Sequence, residues 1–279
     1  MSKNKYLSPK SVARFFVAPL ALAVLAACGG GGSDDDDEEP VTVSVMTGTV
    51  AEGAYINGAK IDVTCKAGGS VESATTDANG AFSVTLSDDS ERPCVIVATK
   101  PDGGKLRSVV PGGNPNPTHV NISTMTDLFV SYVVGQTHGV DSANVDITAL
   151  IKQDGDLFTQ VVNNSQALGN SKGNFESYLQ TEYGVSVAGF DFLTSPIVLG
   201  QPTDNVLEAL LDVQVDVTAP DGTVTQVPLI GANGLPNAVA VEELKADAPA
   251  ITSSDIPACT ATTCGGDAGE EIVITGGNS

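Results

Sequence analysis

Tryptophan is missing from these 279 residues and aromatics make up only 5%. That removes the flat platforms on which sugar-binding faces stack their ligands. Histidine is nearly missing: His119 and His138 are the two present. Without a local His-x-x-x-His pair they fall short of a three-ligand metal site, even with Asp127 or Asp141 added. Basic residues are scarce, 13 Lys and Arg against 34 Asp and Glu, for a formal charge of −21. Such a surface repels nucleic acid and anionic headgroups, so nucleic acid is excluded as a partner. Long apolar runs are lacking too. Phe15 to Ala27 is uncharged but short and contains Pro19, whereas a spanning helix needs about 20 apolar residues. No glycine-rich loop follows a strand to cradle phosphate, and no cofactor is expected. A hydrophobic content of 41% still suffices for a core and one or two domains.

What is present begins with a leader. Lys3, Lys5, Lys10 and Arg14 precede the apolar stretch, as in a secretory signal. The stretch ends in Leu25-Ala26-Ala27-Cys28, which resembles the lipobox of bacterial lipoproteins: a branched residue, two small ones, then the acylated cysteine. The resemblance implies cleavage before Cys28 and three acyl chains there. At about 0.8 kcal/mol per buried methylene they anchor the chain firmly. Gly29 stands where the usual inner-membrane retention signal has Asp, which implies the outer membrane, with the periplasmic and cell-surface faces both open. Loss of the leader removes four basic residues and leaves 9 against 34, a formal charge of −25. Gly29 to Pro40, with Asp34 to Asp37, Glu38 and Glu39, forms an extended acidic tether that reaches at most about 40 Å. An uninterrupted acidic run lacks the turn-spaced ligands and glycine bend of a calcium loop.

Lipidation at Cys28 leaves four cysteines, an even number in an oxidising compartment, so two disulfides are expected from three possible pairings. Shared strand-like segments favour Cys65 with Cys94, and proximity favours Cys259 with Cys264. The alternative for the second pair, a metal or redox site, lacks a neighbouring histidine and a Cys-x-x-Cys spacing.

Residues 42–110 read as a small sandwich. Ile61 to Cys65 and Ala81 to Leu86 alternate, Cys94 to Ala98 is a buried run, and Asn57-Gly58, Asp77 to Gly80 and Asp102 to Gly104 supply the turns. Gly48-Thr49-Val50, Asn57 to Ile61 and Thr75-Thr76-Asp77-Ala78-Asn79-Gly80-Ala81-Phe82 resemble the carboxypeptidase regulatory-like domain, a seven-stranded transthyretin-like sandwich. The resemblance implies structural roles for Asp77, Gly80 and Phe82, a turn followed by an inward aromatic, and no catalysis. After a linker at 111–118, residues 119–230 read as mainly helical. Met125, Leu128, Phe129, Tyr132 and Val133 recur behind a cap at Ser123 or Thr124, with Gly135 or Gly139 as the stop. Leu150 to Val162 suggest a second helix interrupted by Gly155. Phe175, Tyr178 and Leu179 mark a third, and Val206 to Leu211 a fourth capped near Thr203 or Asp204. Val213 to Ala219 and Thr223 to Ile230 read as a hairpin about Pro220-Asp221-Gly222. Residues 231–279 read as a loop-rich tail with one further strand at Glu271 to Thr275. The expected class is α+β: an antiparallel sandwich, a helical region and a C-terminal hairpin. The sandwich followed by Asn121 to Leu128 and Phe190 to Thr194 is similar to a group of proteobacterial lipoproteins with no known activity.

Gly169-Asn170-Ser171-Lys172-Gly173 matches Gly-x-Ser-x-Gly, but polar residues precede it and both histidines come before it, against the hydrolase order. It reads as an interhelical loop, with Ser171 the one nominable nucleophile. The expectation is therefore a non-catalytic envelope lipoprotein that binds or scaffolds an envelope or extracellular ligand. An exported hydrolase and an envelope assembly component are the alternatives.

Overall fold

A computed structural model describes residues 44–68, 71, 73–86, 91–112, 119–140, 145–246, 249–260 and 263–264. Cys28, the leader, the acidic run, Asp141 and the expected strand at Glu271 to Thr275 lie outside the described residues, as does most of the 111–118 segment. The protein is α+β. Seven strands come first: β1 (Ser44–Ala51), β2 (Lys60–Ala67), β3 (Ala74–Thr75), β4 (Ala81–Leu86), β5 (Glu91–Thr99), β6 (Lys105–Val110) and β7 (His119–Ser123). They form two sheets, ordered β4-β1-β7 and β3-β2-β5-β6. All pairs are antiparallel except β1 with β7, which run parallel from Thr47 opposite His119 to Ala51 opposite Ser123. The residue range expected to open the helical region thus begins with the strand that completes the first sheet.

Side-chain alternation builds the sandwich core. On β4, Phe82, Val84 and Leu86 point inward while Ala81, Ser83 and Thr85 face solvent. They meet Met46, Ile61, Ile96, Leu106 and Ile122 from the other strands. Cys65 and Cys94 lie opposite each other in the β2–β5 register and are joined by a disulfide. The Asp77–Gly80 turn closes on Asp77 Oδ1, which accepts from the backbone N–H groups of Asn79 at 2.8 Å and Ala81 at 2.9 Å. Gly80 adopts φ +67°, and a Cβ there would lie 2.4 Å from the Val50 carbonyl oxygen. Glycine is therefore required twice over.

The second sheet is covered on both faces, which explains the continuous apolar run in β5. Cys94, Ile96 and Ala98 face the sandwich core, whereas Val95 on β5 and Val109 on β6 belong to a second core shared with the helices. That layer consists of α1 (Thr124–His138), α2 (Ile147–Leu150), α3 (Leu157–Asn163), α4 (Ser165–Tyr183), α5 (Pro202–Leu211), the hairpin β8 (Gln214–Thr218) with β9 (Val224–Pro228), and α6 (Ala238–Ala246). Phe129 stands at its centre, its ring centroid 5.6 Å from that of Phe175 and 5.2 Å from that of Phe192.

One expectation is resolved here between its alternatives, and several others change. Helix α1 is capped by Ser123, whose Oγ accepts from Thr126 N while Thr126 Oγ1 accepts from Ser123 N, and it stops at Gly139 in the left-handed conformation. Its residues from Thr124 to Gln136 are all buried, not one stripe, because sheet and helices flank it. The expected second helix is two short ones, divided around Gly155. Helix α5 begins with Pro202 at its first position and has no side-chain cap at Gln201, so Thr203 and Asp204 lie inside its first turn. The tail contains a helix, α6, where loop was expected, and Ala240 and Val241 bury it against α1 and the hairpin. Gly169 to Gly173 lies within α4, not in a loop. No helix among the described residues is long and apolar enough to cross a membrane.

Candidate functional site

The end of β5 and the start of β6 form one wall of a cleft of about 460 Å³. Val97 and Arg107, paired across β5 and β6, form its floor with Asp127 and Ser131 of α1. Val145 and the cap residue Asp146, with Ile147 and Thr148 of α2, line one side, and Leu235, Pro236, Ala238 and Val241 line the other. The volume falls within the range of small-molecule sites, and apolar walls with a few convergent polar groups are the usual composition.

Arg107 is fixed at the floor by several contacts. Its Nε donates to Asp127 Oδ1, its backbone N donates to the same oxygen at 3.1 Å, and Nη2 donates to Ser131 Oγ at 3.1 Å. Asp127 and Ser131 are four residues apart on α1 and so share a face, and the Ser131 hydroxyl donates in turn to the Asp127 carbonyl at 3.0 Å. Thr126 Oγ1 donates to the Arg107 carbonyl at 2.9 Å. Burial pushes the Asp127 carboxyl upward, opposed by the charge and hydrogen bonds of Arg107. Ser131 is thereby committed to holding helix and strand together.

The far wall is pinned by a buried lysine. Lys100, 5% exposed, reaches Glu52 Oε2 at 3.0 Å and Asp102 Oδ2 at 3.3 Å, and donates to the carbonyl of Asn233. Gly234 packs so closely on Glu52 that a Cβ there would lie 2.0 Å from Oε2. The 231–237 segment is therefore held against the sandwich by one cation with three partners.

The residues singled out in the sequence are dispersed. Ser171 lies in mid-α4, 1% exposed, and its Oγ has no partner among the described residues. His119 Nε2 lies 3.1 Å from Asn121 Oδ1. His138 joins the end of α1 to the start of α3, with Nε2 2.9 Å from Asp156 Oδ2 and Nδ1 2.8 Å from Thr137 Oγ1. The Thr137 hydroxyl also lies 2.7 Å from the Val133 carbonyl, which can only accept, so its hydrogen is engaged there. Among the described residues no three His, Cys, Asp or Glu side chains gather as a metal site. Cys259 and Cys264 form the second disulfide. Their loop clasps the start of α4: Thr263 O accepts from Ser165 N at 2.8 Å, and Asn164 Nδ2 donates to Pro257 O at 3.0 Å. The two stretches noted together, at Asn121 and Phe190, meet in space. Asn121 N donates to Leu193 O at 2.7 Å and its side-chain amide donates to Phe192 O at 3.0 Å.

Sequence reasoning missed Lys105, Arg107 and Asp146. Each reads as an ordinary solvated charge on a strand or loop. The one available signal was Arg107 between inward Leu106 and Ser108, which placed it on the opposite face of a sheet whose covering was not visible.

The class defined by this fold is an α+β protein with a two-sheet sandwich and a helical layer over one sheet. No family model matches the chain, and neither curated proteins nor solved structures give a match to it.

Proposed function

We propose that the chain is the precursor of an envelope lipoprotein, anchored in the outer membrane through lipid on Cys28, whose folded body is a non-catalytic binding module. The observation that carries the binding reading is the cleft over β5 and β6, with apolar walls and a fixed arginine at its floor. Seven strands in two sheets, with Asp77, Gly80 and Phe82 in turn and core, support assigning the sandwich to the carboxypeptidase regulatory-like type. The hydrolase alternative requires Ser171, a helix-buried hydroxyl, to reach substrate.

Two measurements test the two halves. Intact mass and membrane fractionation of wild type against Cys28→Ala should show acyl mass in the outer membrane for the first and release of the second. Soluble, unlipidated wild type overturns the anchor. For binding, native mass spectrometry of the protein purified from envelopes should show a co-purifying small molecule that Val97→Trp, which fills the cleft, displaces. An identical spectrum from a folded Val97→Trp variant overturns the cleft as the binding site.

A further inference from the structure

We propose that the cleft takes a small aliphatic zwitterion, an α-amino acid or dipeptide, with its carboxylate toward Lys105 and its ammonium toward Asp146. The inference rests on the binding reading above and names the ligand class.

The argument begins with charge. Arg107 at the floor is compensated by Asp127, so the interior of the cleft offers no net charge of either sign. The mouth carries Lys105 from β6 and Asp146 from the start of α2, both exposed. No ion pair joins Lys105 to Asp146 or to any other carboxylate among the described residues. The two nonetheless sense each other. The Asp146 carboxyl is held below its ordinary value first by the Thr148 hydroxyl, then by the backbone N–H groups of Thr148 and Ala149 and by the Lys105 charge. Asp146 is also fixed in place, because its Oδ1 accepts from Thr148 N at 3.0 Å and from Thr148 Oγ1 as the cap of α2.

Among the described residues, a ligand entering between these groups meets one cation and one anion, then apolar surface from Val97, Ile147, Leu235 and Val241. A purely anionic ligand would be repelled by a processed chain of formal charge −25, with Lys105 the one uncompensated cation among the described lining residues. A purely cationic one would meet Lys105 at the entrance. A molecule carrying both charges at one end and an aliphatic side chain at the other satisfies both rim groups and buries its apolar part. A free amino acid and a dipeptide share this chemistry and differ in the separation of their charges.

The test is calorimetric titration of the purified protein with four probes: leucine, leucyl-leucine, N-acetyl-leucyl-leucine, which lacks the ammonium, and leucyl-leucinamide, which lacks the carboxylate. Leucine or leucyl-leucine should bind saturably, and the tighter of the two identifies the charge separation. Each capped dipeptide should bind about tenfold or more weakly than leucyl-leucine, as expected for loss of one charged hydrogen bond. Lys105→Gln should weaken probes with a carboxylate and spare the amide. Asp146→Asn, which keeps the cap oxygen, should weaken probes with an ammonium and spare the acetylated one. Both positions are exposed, so a single cooperative thermal transition verifies folding, with a modestly lower midpoint expected for Asp146→Asn because the carboxylate also caps α2. Capped probes that bind as tightly as the zwitterions, or affinities that neither substitution alters, overturn the ligand class while leaving the cleft as a site. Absence of binding by all four probes overturns it also. The cleft itself is judged separately by the Val97→Trp comparison.

Discussion

At the scale of single residues, Gly48 shows how tightly the first sheet is closed. It lies on β1 directly opposite Phe82 of β4, and a Cβ there would lie 2.1 Å from the Val120 carbonyl oxygen and 2.2 Å from Phe82 Cζ. The ring lies across the bare backbone of its cross-strand neighbour, and the carbonyl belongs to a strand that cannot retreat. Gly48→Ala is therefore expected to cost about 2–3 kcal/mol, the cost of overpacking a filled core. Chemical denaturation of the variant checks this, and a loss below about 0.5 kcal/mol, the usual size of a surface effect, would show that the contact yields. Phe82 in the sequence announced an inward aromatic after a turn, but the need for glycine opposite it follows only from strand register.

At the scale of elements, the disulfide between β2 and β5 joins two strands already paired by a ladder. Cys65 and Cys94 are 29 residues apart in sequence, and closing a loop of that size contributes about 3–4 kcal/mol in the chain-entropy model. The double variant Cys65→Ala/Cys94→Ala should lose about that much, while the native strand pairing persists in the fraction that remains folded. Thermal unfolding with hydrogen exchange on β2 and β5 reads both quantities. The Cys259–Cys264 bridge spans only 5 residues, and its role is local, holding the loop that clasps the start of α4. Alternation made β4 legible in the sequence, and Pro220-Asp221-Gly222 made the hairpin legible. Helix α6 was not, because Gly231, Gly234 and Pro236 precede it and its apolar residues open as one short run, Ala238 to Val241, with Leu244 the one large aliphatic that follows. Such a helix forms through what it packs on, not through its own pattern.

At the scale of the whole molecule, turn carboxylates set the response to acid. Asp77, Asp102, Asp146, Asp221 and Asp255 are all held below the ordinary value of 3.8. For Asp77 and Asp102 the leading cause is a backbone N–H donor, from Ala81 and Gly104. For Asp221 it is the Thr223 N–H, and for Asp146 and Asp255 it is the hydroxyl of Thr148 and of Thr252. A carboxyl more acidic when folded than when unfolded stabilises the fold above the unfolded value, and that stabilisation is lost as pH falls through the folded one. Asp127, raised by burial, acts in the opposite sense, its contribution being lost as pH rises through its folded value. Thermal midpoints should therefore decline as pH is lowered below about 4, and Asp77→Asn should flatten the decline. A midpoint independent of pH between 5 and 2 would contradict the assignment. The cleft was not legible in the sequence for a related reason: Asp127 entered only as a possible metal ligand beside the histidines, and its partner Arg107 and the rim charges Lys105 and Asp146 acquire meaning once the helices cover the second sheet.

The parallel partner of the first strand also bears on the order of assembly. A ribosome delivers β1 early, yet one of its two edges stays unpaired until residues 119–123 have followed, and Ser123, the last of them, is already the cap of α1. The order of synthesis and the order of closure therefore differ. The sandwich cannot finish before the helical layer has begun, and an interrupted chain ending near Val110 would present an open strand edge, of the kind that recruits other chains. Pairing of β1 and the start of the helical layer are, in this protein, one event.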